Sequence, residues 1–470
     1  MAPAATGRLA EVLPASRYQP FVERVGRLRE RLAGRCVWQI NSTARGGGVA
    51  EMLRSHLAYV RGGGIDTRWL VIGGTPAFFQ LTKRIHHALH GSRGDGSGLG
   101  PDERALYEQT LREQLPEIAA RVRNRDVVVL HDPQTAGLIP LLDAMGFSVI
   151  WRCHVGTESP NEQVEAAWAF LEPYVARARA CIFSRRVYVP TCCEGMRTAV
   201  IAPSIDPLSA KNQALSAEVG RAILVHTGFV AGPAPAAAPV FQRHDGSPQR
   251  VNRFADLRRA GGAPGADVRL AVQVSRWDPL KDPIGVMHGF QRLLETGAPR
   301  DVHLVLAGPN VRGVADDPEA ADTYRQVESE WFTLPHSVRH RVSLAMLPMD
   351  DVEENAAIVN ALQRHASVVV QKSLEEGFGL TVTEALWKGR PVVASAVGGI
   401  RDQIDDGVHG LLLEDPRDPD AFAAALRRLW VEDSGLGTEL GERGRERVAD
   451  RFAVSSALSA YGDLLEALDV

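Results

Sequence analysis

One stretch of this 470-residue chain leaves little freedom of fold. From Ser367-Val-Val-Val-Gln371 an apolar run enters Glu375-Glu376-Gly377-Phe378-Gly379, where two glycines flank one aromatic. The run has the length and β-branched content of a buried strand in a parallel sheet. Thr381-Val-Thr-Glu384 has the S/T-x-x-E form of a capping box, which predicts a helix starting there. Gly389 and Pro391 predict its end. Strand, glycine turn and helix N-terminus together aim backbone N–H groups and a positive dipole end at whatever lies above the sheet, a place that favours anions. Two glutamates bracket the turn. Glu384 is read either as the capping partner of Thr381 or as a ligand group, and Glu376 either as an exposed loop charge or as a ligand group. A carboxylate suits vicinal hydroxyls because it accepts two O–H bonds and donates none.

The same alternation of strand and helix recurs along the chain, and its length exceeds what one core usually serves. Strands are expected at 36–41, 68–72, 126–130, 148–153, 180–183 and 199–201, with helices at 24–32, 49–60, 102–123 and 161–178. After an irregular segment the rhythm returns with strands at 268–274, 302–307, 342–346, 367–370, 391–394 and 410–413. This predicts two α/β domains with doubly wound parallel sheets, 1–210 and 211–451. Within the second, 230–265 carries a Pro/Ala-rich piece and a Gly-rich loop, and reads as a surface insertion or a disordered segment.

Ligands of such sheets bind beyond the carboxyl ends of the strands. In the first half those ends carry Asn41, the triplet Gly46, Gly47 and Gly48, then Asp132 with Gln134, then His154. The triplet is no dinucleotide fingerprint, because Glu51 stands where a third glycine belongs. In the second half Arg276 and Lys281 follow the strand at 268–274 across Asp278-Pro279. They are either solvated surface charges or a clamp for phosphate, since Arg offers a planar fork and Lys a point charge. His154 is either a satisfied core histidine or a group of the site. Asp418-Pro-Asp420 is most simply a helix cap.

A net charge of −4 gives no nucleic-acid or membrane surface. Five cysteines without C-x-x-C or paired histidine spacing argue against structural zinc and for a reducing compartment. With no apolar leader and no run of 18 apolar residues, a soluble cytoplasmic protein is expected.

Glu376-x7-Glu384 with its internal Gly377-Phe378-Gly379, followed by Pro391-Val-Val-Ala-Ser and Gly398-Gly399, resembles the retaining glycosyltransferases of the two-Rossmann GT-B fold. Further strings narrow the likeness: Asn41-Ser-Thr-Ala, Gly46-Gly-Gly-Val-Ala-Glu51, Phe78-Phe79, His131-Asp-Pro-Gln134, Trp151-Arg-Cys-His154, Pro203-Ser-Ile-Asp206, Lys211-Asn212 and Asp316-Asp-Pro-Glu319. From about 36 to 465 the chain resembles the trehalose synthases of the glycosyltransferring type. The resemblance implies two Rossmann-like domains with a cleft between them and a last helix, 452–470, crossing back to the first domain. It implies that His154, Arg276, Lys281 and Glu376 serve catalysis. Gly46, Gly47, Gly48, Gly377, Phe378, Gly379, Leu380, Thr381, Glu384 and Asn310 would hold the donor, a nucleoside-diphosphate glucose. Asn41, Gln80, Lys83, Asp132 and Gln134 form a polar set suited to a small sugar acceptor, with the single added base, Lys83, favouring free glucose over glucose 6-phosphate. No metal and no cofactor are expected, and no nucleic-acid or membrane partner; a homodimer is the assembly to test. The competing readings are a different sugar-like acceptor, a non-catalytic nucleotide-sugar-binding protein, and a nicotinamide oxidoreductase, which lacks its fingerprint. Gly156, where the family often has an acidic residue, and the 230–265 insertion depart from the pattern.

Overall fold

The computed structural model describes residues 3–44, 47–233, 235–311 and 318–469. Gly46, Asp316 and Asp317 lie outside them. The chain forms two compact units, Met1–Ser204 with Arg451–Val470, and Ile205–Asp450.

Unit 1 is built on a six-stranded sheet: β1 (Val37–Asn41), β2 (Thr67–Val71), β3 (Val127–His131), β4 (Ser148–Cys153), β5 (Ala180–Phe183) and β6 (Thr198–Val200). The order is β2-β1-β3-β4-β5-β6, every neighbour pair parallel. Val127, Val128, Val129 and Leu130 are all buried, as a strand covered on both faces requires. The crossovers include α1 (Ala15–Arg31), α2 (Gly47–Gly62), α3 (Pro76–Leu89), α4 (Pro101–Arg112), α5 (Leu115–Arg121) and α6 (Glu162–Val175). The single helix expected at 102–123 is two, because Pro116 falls in the first turn of α5 and cannot continue α4.

Unit 2 holds a seven-stranded sheet. Its first strands are short: β7 (Val240–Gln242), β8 (Pro248–Arg250) and β9 (Asp256–Arg258). The rest are β10 (Arg269–Val274), β11 (Val302–Pro309), β12 (Val342–Leu347), β13 (Val368–Gln371), β14 (Val392–Ser395) and β15 (Leu411–Leu413). The order is β15-β14-β13-β10-β11-β12-β9, parallel except that β9 runs antiparallel to β12. The helices used below are α7 (Pro283–Glu295), α8 (Val352–His365), α9 (Leu380–Trp387), α10 (Pro419–Arg427), α11 (Leu436–Arg451) and α12 (Val454–Ala467). The last of these belongs to unit 1, where Leu464 and Leu465 join Leu28 of α1 and Val129 of β3 in one apolar cluster. Among the described residues no helix is long and apolar enough to cross a membrane.

The segment expected to be loop, or disordered, is structured where it is described. β7 and β8 form an antiparallel hairpin, and β9 extends the sheet. These three-residue strands are too short and too exposed to announce themselves by periodicity. Charge holds the segment to the start of α8. Glu354, 1% exposed, accepts the backbone N–H groups of Asn252 and Arg253 at 2.7 Å each and pairs with the Arg253 guanidinium. Arg243 pairs with Asp351 and, at 2.9 Å, with Glu353. Glu354→Ala leaves two N–H groups and a guanidinium without their partner. Stability is expected to fall by about 2 kcal/mol, and 240–253 should become cleavable in limited proteolysis. A urea midpoint and a cleavage pattern equal to the parent's would refute the clasp.

Candidate active site

In unit 2, β10 and β13 are parallel neighbours, with Ala271 opposite Val368. The loops after them therefore leave the same sheet edge, and the Leu374 N–H donates to the Leu280 carbonyl at 2.7 Å. Lys281 donates from Nζ to Glu376 Oε2 at 2.7 Å, both side chains largely withdrawn from solvent. Ser373 Oγ and Gln371 Nε2 donate to that same oxygen at 3.1 and 3.3 Å. Next to Lys281, Asp282 takes a left-handed φ of 46° and caps α7 by accepting the Gly285 N–H. Its other oxygen pairs with Lys372, whose ammonium is buried. Arg276 does not join Lys281: its side chain is 67% exposed and turns to Asp278 at 3.0 Å.

The turn is held from behind by glycines. Gly398 has φ 50°, and a Cβ there would lie 1.6 Å from the Glu376 carbonyl oxygen. The Gly399 N–H donates to the Gly377 carbonyl at 3.1 Å. Gln403 donates to the Phe378 carbonyl and accepts from Thr383 Oγ1 at 2.6 Å. The expected capping box is absent. Gly379, at φ 84°, is the N-cap of α9, the helix starts at Leu380, and Thr381 is its second residue. The left-handed glycine turns the chain into the helix without a side-chain cap. Glu384, freed of that task, lies 3.4 Å from Lys211 Nζ and is 7% exposed. One turn on, Lys388 is buried and donates to Asn212 Oδ1 and the Glu384 carbonyl, each at 3.0 Å. Burial pulls its pKa down, and the Glu384 carboxylate opposes that shift. The end of α9 is as expected: Gly389 (φ 67°) donates to Leu386 and Arg390 to Ala385, a Schellman pair. Asn310, just past β11, donates from its backbone to Leu347 at 2.9 Å.

In unit 1, Gly47 and Gly48 are the first two residues of α2. His154, just past β4, is partly exposed, and its Nε2 lies 3.2 Å from His131 Nδ1. His131 Nε2 lies 2.6 Å from Gln39 Oε1. Burial and the nearby Arg152 guanidinium pull both histidines well below their ordinary pKa. Asp132 has a left-handed φ of 62°, and its Oδ1 accepts the His154 N–H at 2.8 Å. Burial pushes its pKa up to about 7, against the His154 hydrogen bond and Arg152. Gln134 is partly exposed two residues on. Asn41 is buried; its Nδ2 donates to the Thr43 carbonyl at 2.7 Å and its Oδ1 accepts from Trp69 Nε1 at 2.8 Å. Gln80 and Lys83 sit on the exposed face of α3. At Gly156 a Cβ would stand 2.4 Å from the Tyr188 ring, so this chain has room for no acidic side chain there. Asp418 caps α10 by accepting from Asp420 and Ala421. Among the described residues no three His, Cys, Asp or Glu side chains are grouped to hold a metal ion.

Residues 39–190 match the model described as trehalose synthase, N-terminal domain, and 257–447 match glycosyl transferases group 1. A trehalose synthase of Rubrobacter xylanophilus is 36% identical over 93% of this chain and 92% of its own length. The chain belongs to the trehalose synthase family. Another member, from Pyrococcus horikoshii, is 33% identical over 95% of the chain and 93% of its own length. Membership makes the protein a glycosyltransferase of trehalose chemistry with the GT-B fold. That fold is shared by a UDP-forming α,α-trehalose-phosphate synthase of Burkholderia xenovorans solved with glucose 6-phosphate, at a TM-score of 0.66, 16% identity and coverage of 93% of this chain and all of that one.

Several residues that build the site escape sequence reasoning. Gln371, Ser373, Lys372 and Asp282 look like ordinary strand-end and loop residues until β10 and β13 are paired. His131 and Gln39 belong to strands whose sequence separation hides their contact. The Asp132 carboxyl gives a signed test. In the fold it stays protonated up to about pH 7, whereas unfolded it ionises near the ordinary aspartate value of 3.8. Its contribution to stability is thus fully present below the unfolded value and is lost as pH rises through 7. Asparagine tolerates positive φ, so Asp132→Asn should gain on the parent by about 3 kcal/mol between pH 4 and pH 7.5. Urea unfolding at the two pH values reads the gap; a gap independent of pH would refute the shift.

Proposed function

We propose that this protein is a retaining glucosyltransferase that makes trehalose from a nucleoside-diphosphate glucose and free glucose. The observation that carries the reading is the Lys281–Glu376 pair on the edge shared by β10 and β13, with one oxygen of Glu376 taken by Lys281, Ser373 and Gln371. The saturated oxygen fixes the carboxylate, and the second oxygen is the one to meet hydroxyls of the donor sugar. Lys281 and Arg276 neutralise the diphosphate as it leaves, with the backbone of Gly377, Phe378, Gly379, Leu380 and Thr381 at the start of α9 adding its dipole. Glu384 takes the ribose hydroxyls, and Asn310 lies beside the nucleoside. In the reaction the bond from the anomeric carbon to the phosphate oxygen breaks. The acceptor hydroxyl oxygen bonds to that carbon on the same face, and its proton goes to the departing phosphate. His154 touches the transferred sugar; Asp132 and Gln134 hold the acceptor. The two cations and the helix end supply the positive charge that a metal supplies elsewhere, so the reaction as written calls for no cofactor. The protein would act in the cytoplasm.

Arg276→Ala and Lys281→Ala should each cut turnover by roughly 10²–10³-fold, the cost of losing one preorganised stabiliser, with unfolding midpoints within error of the parent for Arg276→Ala. Parent-like rates would sink the assignment. Substrate identity is tested with UDP-, ADP-, GDP- and TDP-glucose against glucose or glucose 6-phosphate, digesting the product with trehalase before and after phosphatase. Trehalase-sensitive sugar from glucose alone is expected. Product from the phosphorylated acceptor only, or from neither, overturns the reading.

A further inference from the structure

Three strands of unit 1 lead into one polar row, of which the chemistry above uses only the last member, His154. Gln39 comes from β1, His131 from the end of β3 and His154 from just past β4, linked at 2.6 and 3.2 Å. The two imidazole planes are 11° apart with centroids 5.5 Å from each other, so each ring restricts the other's rotation. Arg152, 0% exposed, spends its guanidinium on the Ile201 carbonyl at 3.2 Å and on the Tyr461 hydroxyl, with no carboxylate among those partners. Burial disfavours a charged imidazole at both positions, the cation beside them adds to that, and both histidines are held neutral.

A neutral imidazole carries one ring proton, and that makes the row directional. The amide oxygen of Gln39 only accepts, so His131 carries its proton on Nε2. Its Nδ1 is then a lone pair, and it must be met by a proton on His154 Nε2. His154 Nδ1 is left bare. Among the described residues no protein group bonds that nitrogen, and it is not one of the buried unpartnered atoms.

We propose that His131, oriented by Gln39, is a positioning residue that locks His154 in the Nε2–H tautomer, presenting Nδ1 to substrate as a hydrogen-bond acceptor. The proposal rests on the reading that His154 touches the transferred sugar. Under it, the group facing His154 has to be a hydroxyl that gives its proton to the ring, and an ether or carbonyl oxygen at that place is refused. The opposite tautomer would reverse that preference, so the identity of residue 39 becomes a determinant of what the site accepts.

The test uses the full chain labelled with ¹⁵N-histidine. Long-range proton–nitrogen correlation spectra at pH 7 distinguish protonated, pyrrole-type nitrogens from bare, pyridine-type ones, and His154→Gln assigns the ring. In the parent, His154 should show a pyrrole-type Nε2 and a pyridine-type Nδ1. Gln39→Leu removes the acceptor that sets the direction, so the His154 signals should move to tautomer-averaged positions while kcat falls roughly 10-fold, the worth of one oriented hydrogen bond. A proton on His154 Nδ1 in the parent overturns the proposal, as does a Gln39→Leu spectrum identical to the parent's. If the tautomer shifts as described and kcat does not follow, the relay stands and the contact between His154 and the sugar falls.

Discussion

Two charge pairs of opposite sense tie the loop after β10 to the loop after β13, and the donor half of this protein hangs on them. Lys281 reaches forward to Glu376, while its neighbour Asp282 reaches back to Lys372. The two adjacent residues serve two different partners, and Asp282 does so from a left-handed backbone conformation. Lys372 is almost wholly withdrawn from water, a position tolerable for an ammonium only with a carboxylate against it. The pairs are therefore coupled: what moves Asp282 also moves the cap of α7, the buried lysine and the lysine that holds Glu376. A rigid Glu376 follows from packing and charge together, before any substrate is considered.

Backbone proximity sets the second limit. The turn around Phe378 lies so near Gly398 and Gly399 that no side chain fits between, and the turn borrows hydrogen bonds from that segment and from Gln403. In unit 1 the corresponding economy is electrostatic. Burial, with a buried arginine beside them, keeps the two histidines uncharged, and the raised pKa of Asp132 shows that burial outweighs the arginine's pull.

The strands were legible because they are buried on both faces: Val127 to Leu130 and Val368 to Val370 are continuous apolar runs, and only their polar flanks, Asp126 and His131 or Ser367 and Gln371, left the ends uncertain by one residue. The Glu376–Glu384 spacing and the glycines around Phe378 pointed to the donor half for the same reason, each being a local pattern tied to one turn. What stayed hidden was cross-strand. Nothing in sequence joins Gln39 to His131, or Lys211 to Glu384. Local rules also misled where tertiary context overrode them. Thr381 and Glu384 have the spelling of a capping box, yet Gly379 enters the helix without one. The short strands β7, β8 and β9 carry too few residues for any period to show.

The hairpin of β7 and β8 has one more property. Both of its strands are pinned near the start of α8 through Arg243, His244 and Arg253, whereas its tip, Asp245-Gly246, is exposed and already turns through a left-handed glycine. The tip itself makes none of the clasp's contacts to Asp351, Glu353 and Glu354. The tip is thus a natural attachment point, where a fluorophore, an affinity handle or a whole guest domain can be spliced in while the glycosyltransferase beneath keeps its geometry.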